Sequence, residues 1–319
     1  MLLLAHLSDP HLGPLPEPRL HELASKRLFG YLNWLGSRGA VLVNDTLTRL
    51  TDDIAAQGPD HIAVTGDLVN LSLNAELPMA RAWLGELGRP RDVSVVPGNH
   101  DAYVPGAIKR VNADWRDYMR GDFAAPADDA DTVADDFLAA SFPYVRIRPP
   151  VAVVGVSTAR ATAPLMATGY FDATQALRLQ DTLVHLGHEG LFRIVLIHHP
   201  PVRERNDWYR RLIGASRFRA AIAAAGAEIV LHGHNHHAGI RFIDGPRADV
   251  PVVGVPSASQ RPDGKGRGAR YNLFAISGEV GKWRCTMTER GLVHPGQEVT
   301  AIAHHTLYGP PGAEFALPA

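Results

Sequence analysis

Residues that can bind metal ions follow several short apolar runs of this 319-residue chain. Asp9 and His11 come after the first run, and Asp67 follows a Thr-Gly pair after the second. The other candidates form three clusters: Asn99-His100-Asp101, His198-His199 and His232-Gly233-His234-Asn235-His236-His237. Carboxylate and imidazole groups without thiolate favour manganese, iron, zinc or cobalt. The residue types therefore predict a metal site with nitrogen and oxygen ligands.

The spacing within these clusters suits two metal ions. Asp9 and His11 are two residues apart, as are His234 and His236, so in extended chain both side chains of a pair point the same way. One carboxylate, most simply Asp67, could bridge the ions. Two ions about 3.5–4 Å apart can lower the pKa of a bridging water and hold phosphoryl oxygens during in-line attack. This chemistry predicts hydrolysis of a phosphoester.

A mostly parallel sheet is the element expected to bring the clusters together. Short apolar runs alternate with helical patterns, which is typical of a sheet covered on both faces. Because the carboxyl ends of parallel strands share one edge, clusters that follow such strands should meet there. The runs are Leu2–Leu7, Ile62–Val64, Val93–Val96, Val151–Val156, Ile194–Ile197 and Ile229–Leu231. Helices are predicted before Gly58 and near 75–87, 173–187 and 215–225, with antiparallel strands near 239–244, 251–255, 270–276 and 282–288.

Composition excludes several other classes of protein. With 32 basic and 33 acidic side chains, the net charge of −1 argues against bulk binding of nucleic acid or anionic membrane. The single cysteine, Cys285, excludes intrachain disulfides, cysteine-rich zinc modules and iron–sulfur clusters. The sequence shows neither a signal-peptide pattern nor an apolar run of about 18 residues, so we expect a cytoplasmic protein.

Taken in order, the motifs resemble those of the calcineurin-like metallophosphoesterases. The matching segments are Asp9-x-His11, Gly66-Asp67, Gly98-Asn99-His100-Asp101, His198-His199-Pro200-Pro201 and Gly233-His234-Asn235-His236. Within that superfamily the likeness is greatest to the bacterial cyclic-nucleotide and glycerophosphodiester phosphodiesterase branch. The resemblance implies an α/β (α+β) fold: a four-layer αββα sandwich of mixed sheets flanked by helices. This domain would span residues 1–290, followed by a C-terminal tail at 291–319.

The resemblance also implies a role for each motif residue. The implied ligands are Asp9, His11 and His236 for the first ion, Asn99, His198 and His234 for the second, and Asp67 as the bridge. His100 would contact the phosphate or protonate the leaving oxygen. Asn70 replaces the aspartate that orients this histidine in the protein-serine/threonine phosphatases of the superfamily, which argues against a protein phosphatase. Asp101 is a candidate for that orienting task.

Further residues near the motifs are candidates to support the ligands or to contact the substrate. They are Asn70, Asp101, His199, His232, His237, Arg203 and Arg205. The two arginines belong to a basic run that follows the His-His-Pro-Pro turn, and such a run either steers a phosphate or forms a solvated surface.

Residues 19–36, which we name the cap segment, begin soon after His11. Their apolar residues at helical spacing are Leu20, Leu23, Leu28, Tyr31, Leu32 and Leu35, beside the basic Arg19, Lys26 and Arg27. One interpretation is a helix packed on the body of the protein. The other is a helical cap over the site that holds a lipidic part of the substrate or makes peripheral contact with a membrane.

The sequence thus predicts a dinuclear phosphodiesterase that hydrolyses a cyclic nucleotide or small phosphodiester by attack of a metal-bridging hydroxide. Two divalent or trivalent ions are expected, with manganese or iron favoured and zinc or cobalt as alternatives. One alternative function is a lipid-phosphate or lipid-linked pyrophosphate hydrolase. Another, from a different class, is a non-catalytic binding scaffold on the same fold. No nucleic-acid partner is expected, and the oligomeric state is left open.

Overall fold

The computed structural model describes residues 1–38, 44–122, 141–202, 208–264 and 267–309. The strands of these residues, β1 to β14 in chain order, are Leu2–Leu7, His61–Val64, Val93–Val95, Tyr144–Arg148, Val151–Gly155, Gly169–Tyr170, Phe192–Leu196, Leu212–Ile213, Ile229–His232, Gly239–Ile243, Val250–Gly254, Arg270–Ser277, Arg284–Gly291 and Thr300–Tyr308. The α-helices of these residues, α1 to α7, are Leu20–Leu23, Arg27–Asn33, Asn44–Gln57, Glu76–Leu87, Ala107–Trp115, Ala173–His188 and Ala215–Ala225.

Twelve of these strands form two mixed six-stranded sheets. The first sheet has the order β14-β13-β12-β1-β2-β3, in which β1, β2 and β3 are parallel and β12 to β14 pair antiparallel. The second has the order β10-β11-β9-β7-β5-β4, with a parallel centre and antiparallel strands at both edges. Consecutive parallel strands need crossover connections. The predicted helices lie in these connections.

The side chains of β5 show how the layers stack. Val151 and Val153 belong to the core that also contains the first sheet, whereas Ala152 and Val154 belong to a second core with α6 and α7. Successive side chains of a strand point to opposite faces, so the second sheet has the first sheet on one side and helices on the other. Leu50 of α3 and Leu84 of α4 pack in the first core. The predicted fold class, two mixed sheets flanked by helices, is confirmed.

The predicted elements agree with the structure in the parallel regions and differ at the periphery. Helices α4, α6 and α7 fall where the apolar spacing predicts them. The cap segment is not one helix: α1 and α2 are separated by a turn, and α2 continues into a π-helical turn at Trp34–Arg38. Residues 291–319 are predicted as a tail, but Thr300–Tyr308 pairs with β13 and therefore extends the first sheet.

Candidate metal centre

The five polar clusters lie together where the two sheets meet. They follow β1, β2 and β3 of the first sheet and β7 and β9 of the second, at the carboxyl ends of parallel strands. Just past β1, Ser8 forms an isolated parallel bridge with Ser257, which follows β11 of the second sheet. The Ser257 hydroxyl also donates to the Asp9 carbonyl over 2.7 Å. The topology therefore joins the two sheets at the edge that carries the predicted ligands.

The backbone is left-handed at five of the predicted ligands. The φ angles are 52° at Asp9, 40° at His11, 55° at Asp67, 69° at His234 and 56° at His236. Non-glycine residues rarely adopt this region, at a cost of about 1–3 kcal/mol each, and such residues concentrate at functional sites. The assumption of an extended chain for these pairs is therefore wrong. The difference matters for His234 and His236, because these two histidines point into different groups of proposed ligands.

The first ligand group consists of Asp9, His11 and His236. Nε2 of His236 lies 3.1 Å from Oδ1 of Asp9, and Nε2 of His11 lies 3.9 Å from the same oxygen. One possible ligand atom from each residue lies within 4.8 Å of the others. Asp9 and His11 are buried, and His236 is partly exposed. These three side chains converge on one carboxylate oxygen, as the ligands of a single ion would.

The second ligand group consists of Asp67, Asn99, His198 and His234. Nε2 of His198 lies 3.3 Å from Oδ2 of Asp67 and 3.3 Å from Oδ1 of Asn99. His198 and His234 can place ring nitrogens within 4.8 Å of each other. A carboxylate oxygen of Asp67 lies within 4.8 Å of possible ligand atoms of Asp9 and of His11. Asp67 is thus near members of both groups, the position that a bridging ligand needs.

Backbone carbonyls determine which ring nitrogen faces the site in two of the proposed ligands, His198 and His234. A carbonyl oxygen can only accept a hydrogen bond, so the ring nitrogen that is bonded to it carries the proton. Nδ1 of His198 donates to Thr65 over 2.6 Å, and Nε2 of His234 donates to Arg210 over 2.9 Å. His198 is therefore turned with Nε2 toward the site, and His234 with Nδ1. This carbonyl support is typical of histidines that bind metals.

The donor set fits two metal ions. Nε2 of His198 faces two oxygen acceptors, an arrangement that is repulsive unless a proton or a metal ion lies between them. Asp9 and Asp67 are buried carboxylates whose negative charges also need compensation. Two carboxylates, one amide oxygen and four imidazoles without a thiolate suit transition-metal ions.

The histidines keep the buried carboxylates ionised. Burial alone would raise the pKa of Asp9 and of Asp67, but neighbouring imidazoles, chiefly His236 and His198 respectively, hold both pKa values well below the usual range. Burial likewise acts to lower the pKa of His198, yet the Asp67 carboxylate raises it to about 9. The site thus provides ionised oxygen ligands at neutral pH.

His100 is oriented by a backbone group. Its Nδ1 donates to the Asn70 carbonyl over 2.5 Å, which leaves the lone pair on Nε2. Its backbone N–H donates to Oδ1 of Asp67 over 2.7 Å, and its ring stacks on Tyr103 with centroids 5.4 Å apart. Asn70 thus orients the imidazole with its carbonyl, while its side-chain amide donates to Leu12.

Asp101, the sequence-based candidate for orienting His100, has a different task. One carboxylate oxygen accepts from the amides of Asp67 and Gly98, both at 2.8 Å. The other accepts from two further amides of the loop after β2. These hydrogen bonds tie the loop after β2 to the loop after β3. Asp101 therefore positions the backbone of Asp67, and the carbonyl of Asn70 orients the imidazole.

His199 contacts the second ligand group. Its Nδ1 accepts from the Thr158 hydroxyl over 2.7 Å, and its Nε2 donates to the Ala167 carbonyl over 3.2 Å. Both ring nitrogens bind protein groups, so the ring packs beside the ligands: its centroid lies 4.4 Å from that of His234. Burial lowers the pKa of His199 well below its usual value, so this imidazole is uncharged at neutral pH.

The remaining candidates divide by location. His232 is buried, and its Nδ1 donates to the carbonyl of Gly233. His237 is exposed and lines a cavity beside the site. Arg203 and Arg205 lie outside the described residues.

Sequence reasoning missed the groups that position the ligands. The carbonyls of Thr65 and Arg210 fix two imidazoles, and the Tyr103 ring stacks on His100. A carbonyl is common to every residue, so no residue type marks these positions. Tyr103 lies three residues after His100, but only the folded loop brings the rings together.

The comparisons with known proteins agree with this geometry. The calcineurin-like phosphoesterase family matches residues 2–238, and the chain belongs to this family. No curated protein matches the sequence. The cyclic-nucleotide and glycerophosphodiester branch, inferred from the motifs, stays a prediction.

Solved structures share the fold at low sequence identity. A dimetal phosphatase from Danio rerio has a TM-score of 0.61 at 14% identity, covering 94% of this chain and 98% of its own. A purple acid phosphatase from yellow lupin seeds has a TM-score of 0.54 at 11% identity, covering 96% of this chain and 53% of its own. A 5′-nucleotidase precursor from Thermus thermophilus has a TM-score of 0.51 at 16% identity, covering 89% of this chain and 53% of its own.

Among the helices of the described residues, none has the length and apolar character needed to cross a membrane. The cytoplasmic location stays a prediction.

Proposed function

We propose that this protein hydrolyses small phosphodiesters with the help of two metal ions. The observation that carries the proposal is the pair of ligand groups that share the neighbourhood of Asp67. Asp9, His11 and His236 would hold one ion, and Asn99, His198 and His234 the other. Two ions bound there would supply an activated water and neutralise phosphoryl oxygens. Manganese or iron is our first choice for both positions, with zinc or cobalt as the alternatives.

The protein's own residues would orient the substrate and move a proton. The hydrogen bond from Nδ1 of His100 to Asn70 directs the basic Nε2 of the same ring away from the backbone. When protonated, Nε2 can donate to the leaving oxygen, a role suited to imidazole near neutral pH. Tyr103, stacked on the ring, keeps its plane fixed.

Substitution of the bridging residue tests the proposal. Because Asp67 lies within 4.8 Å of possible ligand atoms of both groups, Asp67→Asn should abolish hydrolysis of bis(p-nitrophenyl) phosphate and lower the metal content measured by elemental analysis. Asp60→Asn is the matched control, because Asp60 precedes β2 and accepts from the amide of Leu3 at the other end of the strands. Full activity and metal content in Asp67→Asn would refute the assignment.

A phosphoester panel tests the choice of a cyclic nucleotide or small diester. We expect faster turnover of diesters than of monoesters with manganese or iron. A preference for monoesters would refute the phosphodiesterase and leave the metal site standing. Full metal loading without turnover of any ester would instead support the binding scaffold.

A second candidate, a lipid-phosphate or lipid-linked pyrophosphate hydrolase, is favoured by the cap segment. Its exposed large apolar side chains are Leu20, Leu28, Phe29, Leu32 and Leu35. The segment adjoins the site: Nε of Arg27 donates to the Leu71 carbonyl over 2.9 Å, and Lys26 lies over the ring of Tyr103. Exposed apolar side chains beside a phosphoesterase site suit acyl chains or a membrane surface.

Serine substitutions in the cap segment separate the two candidates. A lipid hydrolase with Leu28, Phe29 and Leu32 all changed to serine should lose activity on long-chain substrates and binding to anionic vesicles, but keep its activity on soluble diesters. Leu177→Ser with Val184→Ser is the matched control, since both are exposed apolar residues of α6. Equal effects of the two sets of substitutions would rule out a role for the segment in lipid binding.

A further inference from the structure

A cavity of about 770 Å³ opens beside the second ligand group. Its walls include Pro200 and Pro201, which follow His198 and His199 in the chain. The polar groups that line it are Arg210, Arg211, Arg219, Ser216, Asn235 and His237. Among its described lining residues none carries a carboxylate. The volume lies within the range of small-molecule sites, and the lining is basic.

Arg210 connects this cavity to the metal centre. Its Nη2 donates to the carbonyl of His234 over 2.7 Å, and Nε2 of His234 donates to the carbonyl of Arg210 over 2.9 Å. This reciprocal pair fixes the arginine beside a proposed ligand. A molecule in the cavity that contacts Arg210 would therefore adjoin a phosphate held at the metal centre.

The start of α7 adds further donors. This helix has 11 residues, and its preceding residue, Gly214, is left-handed and provides no side-chain cap. Ala215 and Ser216 line the cavity, and the first amides of a helix have no carbonyl partner within it. Together with the partial positive charge of a helix N-terminus, these amides favour an anion.

Arg219 and Arg211 differ in their contacts. Nη1 of Arg219 donates to the Pro201 carbonyl over 2.7 Å, so this side chain holds the cavity wall. Arg211 is an exposed residue of the same lining. The contacts that would bind an anion are therefore those of Arg210, Arg211 and the backbone amides of Ala215 and Ser216.

We propose that this cavity binds a second phosphate of the substrate, separate from the one that is cleaved. The inference rests on the proposed function only for the position of the cleaved phosphate. It narrows the substrate class, because a cyclic mononucleotide has a single phosphate, which leaves no phosphoryl group for the basic residues described in this lining. A small diester or diphosphate with an additional phosphoryl group fits the cavity better.

Calorimetric titration of the full-length, manganese-loaded protein tests this inference. The probes are thymidine 5′-phosphate, thymidine 3′,5′-bisphosphate and the α,β-methylene analogue of thymidine 5′-diphosphate. At least one probe with two phosphoryl groups should bind about tenfold more tightly than the monophosphate, the effect of one charged hydrogen-bonded contact. Arg211→Gln should remove most of that difference.

Arg217→Gln is the matched control. Arg217 lies on α7 with its side chain outside the cavity lining, and its Nη1 donates to the Phe171 carbonyl. This variant should keep the preference for two phosphates. Equal affinities for all three probes in the unsubstituted protein, or equal losses in the two variants, would overturn the inference.

Hydrolysis of bis(p-nitrophenyl) phosphate by the same preparation separates this inference from the proposed function. If hydrolysis is absent but the preference for two phosphates depends on Arg211, the cavity site stands and the proposed reaction fails. If hydrolysis occurs without that preference, the reaction stands and the cavity site fails.

Discussion

At the scale of single residues, His100 illustrates how a backbone carbonyl can set the chemistry of a side chain. Its Nδ1 proton is held by Asn70, so Nε2 is the nitrogen available for proton transfer. His100→Ala should retain its metals, because His100 belongs to neither ligand group, and its kcat should fall about 10²–10⁴-fold. Elemental analysis and steady-state kinetics measure the two effects.

His304→Ala is the control for this prediction, because His304 contacts Thr288 on the edge strands, outside the site. It should leave both metal content and kcat unchanged. Loss of metal from His100→Ala would mean that His100 is a ligand.

Gly98 is required at its position because of the Asp67 carboxylate. A Cβ atom at residue 98 would overlap Oδ1 and the backbone nitrogen of Asp67. Gly98→Ala should therefore displace the proposed bridging ligand and weaken metal binding about 10–100-fold, as measured by competition with a chelating dye. Gly85→Ala, in an open position of α4, should bind metal normally and gain about 0.5–1 kcal/mol of stability. Similar metal affinities in the two variants would contradict the prediction.

At the scale of elements, a partly buried ion pair fixes α6 and α7 to the start of β7. The Arg193 guanidinium lies 2.9 Å from a carboxylate oxygen of Glu228, and its Nη1 donates to the carbonyls of Leu183 and Ala225. The two side chains are only 12% and 14% exposed. Arg193→Ala leaves the mostly buried carboxylate without its partner and should cost up to about 3–5 kcal/mol of unfolding free energy.

Equilibrium unfolding in urea measures this cost, with Lys282→Ala as the control. Lys282 pairs with Glu279 at 79% and 73% exposure, and its loss should cost about 1 kcal/mol or less. Because Arg193 precedes the strand end that carries His198, kcat should stay normal in the folded variant. Equal costs for the two variants would show that the buried pair does not stabilise these elements.

Lys26 links the cap segment to the loop after β5 and should give stability a distinct pH dependence. Its Nζ donates to the Thr162 hydroxyl over 2.9 Å, and burial lowers its pKa to about 8 from the usual 10.5. Between these pH values the unfolded chain binds more protons, so stability rises with pH. The Tm of the unsubstituted protein relative to Lys26→Met should rise about 1–2 °C from pH 8 to pH 10. A Tm difference that does not change over this pH range would contradict the prediction.

The sequence predicts the central elements better than the peripheral ones. Runs such as Val151–Val156 are apolar because both faces of the strand are buried, so pattern and structure coincide. The edge strand Thr300–Tyr308 has exposed and half-buried side chains, and only its pairing with β13 makes it a strand. The cap segment has helical spacing throughout, yet its contacts with the loop after β2 divide it.

In the site, too, some features could be predicted from the sequence and others could not. Side chains that predict metal chemistry were visible in the sequence because carboxylates and imidazoles at strand ends are distinctive. The left-handed backbone at His234 and His236 was not visible, because no residue type marks it. It directs these two histidines into different ligand groups. The carbonyl of Asn70, which orients His100, leaves no mark in the sequence either.

At the scale of the whole molecule, the proposed ligands come from both sheets. Asp9, Asp67 and Asn99 follow strands of the first sheet, and His198 and His234 follow strands of the second. Metal ions bound between them would join the two halves of the core at one edge. Without the ions, buried carboxylates and imidazoles would be held together with their charges only partly compensated.

Metal removal should therefore lower the stability of the whole fold. A ligand that binds only the native state stabilises it by about 2.7 kcal/mol at one hundred times its Kd. For a chain of this size that corresponds to a Tm about 5 °C higher with metal than after treatment with EDTA, measured by calorimetry. Readdition of manganese should restore the Tm. In Asp67→Asn the two Tm values should nearly coincide, because the residue that lies near both groups is altered. An equal decrease in Tm after EDTA treatment of both proteins would show that the stabilising ions bind elsewhere. No decrease in the unsubstituted protein would show that metal ions at this edge do not stabilise the fold.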